Sequence, residues 1–343
     1  MRILYLVGNG FDMACGLDTS PVAFLNDFIE TSALDPGSNA HIDLAERIKE
    51  EGVDCWADYE SKIGQYSSRF QPNAIDEYLE QVNALTLHMH SWLEKKNKTI
   101  SKAKIDSNAR EVILSLKKYV DALSPGERDV VESMKRKLAN DHCYYDILSF
   151  NYTTVLPKVF DTAKTSNSTI GALSARFSHI LGSIVQVHGS LLSIPVMGVN
   201  DSGQIANDSF RDNPFVVSNI VKSSIQREIG SKDDMAGMDF IKSGDIICIF
   251  GMSLGETDRR WWRAVANRLK QNKEAILIIF SWEYAIENPH TPLDRYRIVK
   301  REKEKFFCGA GLASEVIDAV EKRIFVAKST AIFSACGKFK AEK

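Results

Sequence analysis

The chain has 343 residues, 44% hydrophobic and 26% charged, enough length and apolar content to bury a core without disulfide or metal staples. Its 43 Lys and Arg against 45 Asp and Glu leave a formal charge of −2, which supplies no general attraction to nucleic acid or to an anionic membrane surface. The six cysteines (Cys15, Cys55, Cys143, Cys248, Cys308, Cys336) include no C-x-x-C pair, which argues against a structural zinc site; Cys143, Cys248 and Cys308 have apolar or aromatic neighbours and are expected to be buried free thiols.

The opening Met1–Val7 is too short for the apolar core of a secretory leader, and Gly-Asn-Gly follows at once. No uninterrupted apolar run approaches the ~20 residues needed to cross a bilayer, so the expectation is a cytoplasmic protein without membrane contact. Ile3–Val7 reads as a strand buried on both faces, as in a parallel sheet. Ser20 and Pro21 follow as the N-cap and first residue of a helix, whose apolar positions are Val22, Leu25, Phe28 and Ile29. From 41 to 140 the pattern is helical, interrupted at Ser124-Pro125-Gly126. That is more chain than a crossover between two strands needs, and it reads as a helical insertion or lid.

Strand patterns resume at Tyr144–Ser149, Ser183–Val187, Asp245–Phe250 and Ala275–Phe280. Helical stretches between most of them predict an α/β fold with a doubly wound, mostly parallel sheet, in which ligands sit outside the carboxyl ends of the strands. The expected division is 1–40 with 141–330 as a nucleotide-binding α/β unit, 41–140 as the insertion, and 331–343 as a tail, helical or frayed. Two stretches read as loops: Asp161–Ala175, rich in Ser and Thr, and Ser190–Pro214, a candidate mobile lid.

Four motifs sit at strand ends. Gly8-Asn9-Gly10-Phe11-Asp12 is a strand-turn-helix opening whose glycines let a backbone approach a pyrophosphate, although it is neither G-x-G-x-x-G nor a Walker loop; a tight turn explains it equally well. Asp12 can bond a ribose or cap a turn. Asn151, in Ser149-Phe150-Asn151-Tyr152-Thr153, can bond a sugar hydroxyl or orient a water through its amide, or cap the next helix. His188-Gly189 ends an apolar strand, where an imidazole can take a proton near neutral pH; the bland alternative is a satisfied core histidine. In Phe250–Asp258 glycine and serine again meet a helix start, with Thr257 or Asp258 as cap, and Trp261 and Trp262 are expected to pack the helix that follows. The lysines at 95–104 and the charged run at 300–305 read as solvated faces, and His88 and His90 face different sides of a helix and suit no metal.

In this order the motifs resemble the phage abortive-infection AbiH family: Leu6–Asp12, Gly16-Leu17-Asp18-Thr19-Ser20, Ser149–Thr153, Val187-His188-Gly189 and Phe250–Gly255. Trp56 and Glu60 also fit the family's pattern. The resemblance spans residue 3 to about 282. That family is in turn similar to the sirtuins, which consume NAD. The resemblance implies that Gly8, Asn9, Gly10 and Phe11, with Thr19 and Ser20, cradle the dinucleotide. It further implies that Asn151 and Thr153 line the nicotinamide ribose, that His188, followed by Gly189, is the catalytic base, and that Gly251, Ser253 and Asp258 touch the cofactor. His188, Asn151 and Asp12 are then the candidate catalytic residues. Two departures stand out: Thr153 occupies the place of a sirtuin aspartate, and the sirtuin zinc ribbon is absent, so a deacetylase is not expected. The function implied is a phage-defence NAD hydrolase that cleaves the nicotinamide–ribose bond. Its partner is NAD or a related nucleotide, no metal is needed, and self-association or a trigger partner is expected through the helical insertion. Alternatives are a defence nuclease acting on RNA, disfavoured by the slightly acidic charge, and a nucleotide-binding sensor without catalysis.

Overall fold

The computed structural model describes residues 1–34, 39–138, 142–174, 177–287 and 289–339. The elements run β1 (Arg2–Val7), α1 (Gly10–Ala14), α2 (Pro21–Ser32), α3 (Asn39–Glu50), α4 (Trp56–Tyr66), α5 (Ile75–Lys98), α6 (Lys102–Leu114), α7 (Pro125–Leu138), β2 (His142–Ser149) and α8 (Val155–Ser166). They continue with β3 (Thr169–Ser174), β4 (Phe177–Gln186), α9 (Asp208–Arg211), α10 (Pro214–Ile220), α11 (Lys222–Glu228), α12 (Asp233–Ser243), β5 (Ile246–Phe250) and α13 (Arg259–Gln271). The last are β6 (Ile276–Ser281), α14 (Trp282–Glu287), α15 (Pro292–Ala310), α16 (Ser314–Val320) and β7 (Ile324–Lys328).

The seven strands form one sheet in the order β3-β4-β2-β1-β5-β6-β7. Every pair is parallel except β3 with β4. Without the antiparallel edge, the six parallel strands lie in the order 3-2-1-4-5-6, so the strand order reverses beside β1, and the crevice at that reversal is where doubly wound sheets take their ligands. The central strands are buried on both faces. Ile3, Tyr5 and Val7 point into a core closed by α6, α7 and α8, while Leu4 and Leu6 point into one closed by α12, α13, α15 and α16. Trp261 and Trp262 pack α13 into this second core, 2% and 0% exposed.

The helices of 41–140 divide between two layers. Those of α6 and α7 cover the sheet itself, whereas α3, α4 and α5 join α2, α9 and α10 in a separate cluster around Phe24, Tyr59, Tyr78, Trp92 and Phe210. This third core forms a cap above the strand ends. The end of the insertion at 139–140 lies outside the described residues, as do the last four residues of the tail.

Two expectations fail, and a third resolves between its alternatives. The described part of the expected loop, 161–174, is not a loop: it holds the end of α8 and the edge strand β3, whose Ser- and Thr-rich sequence hides the pattern. Of the two readings of the tail the helical one holds for its described residues: Ser334–Phe339 form a 3-10 helix, and Phe333, Cys336 and Phe339 are buried in the sheet's core, with the Phe333 ring 5.0 Å from Phe11 and 4.9 Å from Phe250. Cys308 is exposed rather than buried, since it lies on the outer side of α15 between the buried Phe307 and Gly309.

Candidate functional site

The motif strands β1, β2, β4 and β5 stand side by side, so the four strand-end motifs necessarily meet. Gly8 N–H donates to Phe250 O at 3.0 Å and Gly10 N–H to Gly251 O at 2.9 Å. A Cβ on Gly10 would lie 2.4 Å from Gly251 Cα, and Gly251 itself has φ +66°. These glycines therefore exist for backbone-on-backbone contact between the first turn and the end of β5. The expectation that the Gly8 and Gly10 amides hold a pyrophosphate is corrected here, because both are already engaged within the chain.

Phe11 also departs from its expected place at the cofactor: it is fully buried against Phe333. Asn9 accepts the Thr19 hydroxyl at 2.6 Å and donates its amide to the Thr19 carbonyl at 3.0 Å. Trp56 Nε1 donates to the same carbonyl at 3.0 Å. Asn9, Thr19 and Trp56 thus clamp the first turn to the cap instead of presenting free polar groups. Ser20 caps α2, its hydroxyl accepting from Ala23 N–H at 3.2 Å. Ser253 is exposed.

Asp12 is 2% exposed and faces Thr153, whose hydroxyl donates to it and lies 2.9 Å from both carboxylate oxygens. Burial pushes the Asp12 carboxyl up to about 7, with the Thr153 hydrogen bond acting in the opposite direction. The turn carrying Thr153 is held by Gln186, whose amide donates to the carbonyls of Asn151 and Thr153 at 2.9 and 3.1 Å.

Asn151 and His188 lie at the same level of adjacent strand ends. The last paired residues of β2 and β4 are Ser149 and Gln186, the ladder continues as Val187 N–H to Ser149 O at 2.9 Å, and each candidate stands two residues beyond its strand's last pair. They are 4% and 5% exposed. Asn151 Nδ2 and His188 Nε2 are both buried and without a hydrogen-bond partner in the chain, a condition that costs free energy unless something else satisfies it. The His188 ring packs edge-on to Phe150 at 5.1 Å. Its carbonyl accepts from Val196 N–H at 2.8 Å, and Leu191 N–H donates to Tyr152 O at 2.9 Å, so residues 190–196 lie across the site with Leu192 and Ile194 exposed. Gly189, at φ +72°, allows that return, since a Cβ there would meet Ile194 O at 2.2 Å.

Asp258 joins them. Its Oδ1 is 3.2 Å from His188 Nε2, an ion-pair distance. The same oxygen accepts from Lys222 Nζ at 2.9 Å, and Lys222 also donates to Glu60 Oε2 at 2.7 Å. Burial works against the charge on Asp258, but the Lys222 ammonium and then His188 outweigh it and hold the carboxyl well below its usual range. Glu60 goes the other way, pushed up by burial and by Asp258 in spite of Lys222. One cation thus separates two carboxylates into an ionised and a more readily protonated member, the division that acid–base sites use. Glu60 comes from α4, which approaches the turn after β5 so closely that a Cβ on Gly255 would meet Ala57 Cβ at 2.2 Å.

Sequence reasoning missed Lys222 altogether. Its one signal is a lone lysine between Ile220-Val221 and Ile225, on the side of a short helix that faces inward.

The family described as bacteriophage abortive infection AbiH matches residues 4–280. A comparison with curated proteins finds no match. The chain belongs to the AbiH family, whose description places it in abortive infection, the defence that limits phage spread.

Proposed function

We propose that this AbiH-family chain acts in phage defence as an enzyme, hydrolysing the bond between nicotinamide and ribose in NAD. The observation that carries the reading is the pair of buried polar atoms without a hydrogen-bond partner, Asn151 Nδ2 and His188 Nε2, at neighbouring strand ends next to the ionised Asp258. A bound sugar supplies what both lack. The sirtuin-like order of the motifs and the strand order 3-2-1-4-5-6 support a dinucleotide as the ligand.

In this reading the Asn151 amide bonds a ribose hydroxyl and fixes the ring. His188 takes a proton from water or from a ribose hydroxyl, with Asp258 stabilising the imidazolium that forms. The bond breaks through an oxocarbenium-like state, as in glycoside chemistry, and the negative Asp258 lies near the developing positive charge. Asp12 and Thr153 hold the turn that carries Asn151. Because the Gly8 and Gly10 amides are engaged, the pyrophosphate lies against other groups. Substrate entry requires residues 190–196 to move aside.

Separate incubations of the protein with NAD and with RNA, taken from uninfected and phage-infected cells, test the reading. Loss of NAD with release of nicotinamide is expected after infection, with RNA intact. Cleaved RNA beside untouched NAD in both preparations would favour a nuclease and overturn it.

A further inference from the structure

Four side chains run in line from the cap to the strand ends: Glu60, Lys222, Asp258 and His188. All three Nζ hydrogens of Lys222 are used, on Glu60 Oε2 at 2.7 Å, Asp258 Oδ1 at 2.9 Å and the Thr257 carbonyl at 3.3 Å. The Lys222 side chain is 5% exposed and that of Glu60 6%. Its backbone is fixed too, since Lys222 N–H donates to Val199 O at 3.0 Å and Val199 N–H to Ile220 O at 2.9 Å.

The decisive detail is that Lys222 and His188 approach the same atom, Asp258 Oδ1. With the ammonium bonded there, His188 Nε2 stands 3.2 Å from the same oxygen at ion-pair distance, close enough to help hold Asp258 ionised yet short of full hydrogen-bond geometry. Were the ion pairs mere glue between cap and sheet, they would contribute little net stability, and nothing would require them to converge on the oxygen beside the histidine.

We propose that Lys222 is a positioning residue for His188. By occupying Asp258 Oδ1 from the cap side, it keeps the imidazole from closing onto the carboxylate and leaves Nε2 free to accept a proton from the substrate. Glu60, carried by α4, anchors Lys222, so the seating of the cap sets the proton affinity of the base. The groups facing His188 are Asp258 from the start of α13, Lys222 from α11, Glu60 from α4 behind it, and the rings of Phe150 and Tyr152 at 5.1 and 6.3 Å. The inference rests on His188 being the base, but its test needs no substrate.

The test follows the His188 ring resonances of the full chain by NMR across pH. It compares wild type with Lys222→Met and Glu60→Gln with Glu60→Gln/Lys222→Met. The second comparison is included because Lys222→Met alone strands two buried carboxylates and destabilises the fold, whereas the double variant leaves only Asp258. Removing the ammonium leaves the imidazolium as the sole cationic partner of Asp258, so the ring takes up its proton at higher pH by about one unit, roughly tenfold in affinity. A rise in each background that folds supports the proposal. No change, or a fall, in either background overturns it, and neither result depends on whether NAD is consumed.

Discussion

Burial pushes the Asp12 carboxyl up to about 7, and the sign of its effect on stability follows directly. Unfolded, the group titrates near 4, so between about pH 4 and 7 the folded chain holds a proton that the unfolded chain has released. The contribution is present in full below about pH 4 and is lost as pH rises through about 7. Above that, an ionised Asp12 burdens the fold by up to about 4 kcal/mol, at 1.36 kcal/mol per unit. Asp12→Asn keeps the shape and an acceptor for Thr153 without the charge. Thermal unfolding at pH 5 and pH 8.5 is expected to show the variant gaining on wild type at the higher pH. A constant difference between them would show that Asp12 does not titrate as described. Residue by residue, the candidate site was half legible. Asn151, His188 and Asp258 announce themselves by standing at strand ends, where periodicity stops and polar residues begin. Lys222 does not, because its partner Glu60 is 162 residues away and a single lysine in sequence reads as solvated.

Among elements, the apolar strands β1, β5 and β6 were plain because each is a nearly continuous hydrophobic run, and β2 because Asp146 alone interrupts the stretch from Cys143 to Leu148. β7 was overlooked, since Ile324–Lys328 is only five residues and follows the charged Glu321-Lys322-Arg323. The glycine turns were found but their purpose stayed open between a phosphate cradle and a tight turn: sequence cannot distinguish a glycine spared for a phosphate from one spared for another backbone. Gly251 is of the second kind, with φ +66° and a would-be Cβ 2.6 Å from Gly10 Cα. Gly251→Ala is therefore expected to cost about 2–4 kcal/mol, from left-handed strain and overpacking together. Denaturant unfolding should show a lower midpoint with an unchanged slope. Gly126→Ala is the control, since a Cβ there meets nothing within 4 Å, and it is expected to be neutral or slightly stabilising. Equal midpoints for the two variants would contradict the close contact of the two turns.

At the scale of the whole molecule, one sheet with two covered faces carries a cap built from both sides of the sequence. Buried residues between Phe24 and Leu93 share one core with residues between Met197 and Val221, a pairing that no local pattern reveals because its halves are separated by β2, β3 and β4. The alternation of strands and helices made the α/β class legible, while the tail's return to the core through Phe333 was not, since it depends on a gap that only the assembled sheet leaves open. This architecture brings Glu60 and Lys222 down onto residues delivered by β2, β4 and β5, and the central claim is that the resulting site turns over a dinucleotide. The most direct measurement is nicotinamide release from NAD by wild type beside His188→Ala and Asn151→Ala, in preparations active for wild type and with folding checked by circular dichroism. The account predicts a fall of about 10²–10⁴-fold for His188→Ala and a comparably deep loss for Asn151→Ala. Release at the wild-type rate by either folded variant would contradict it.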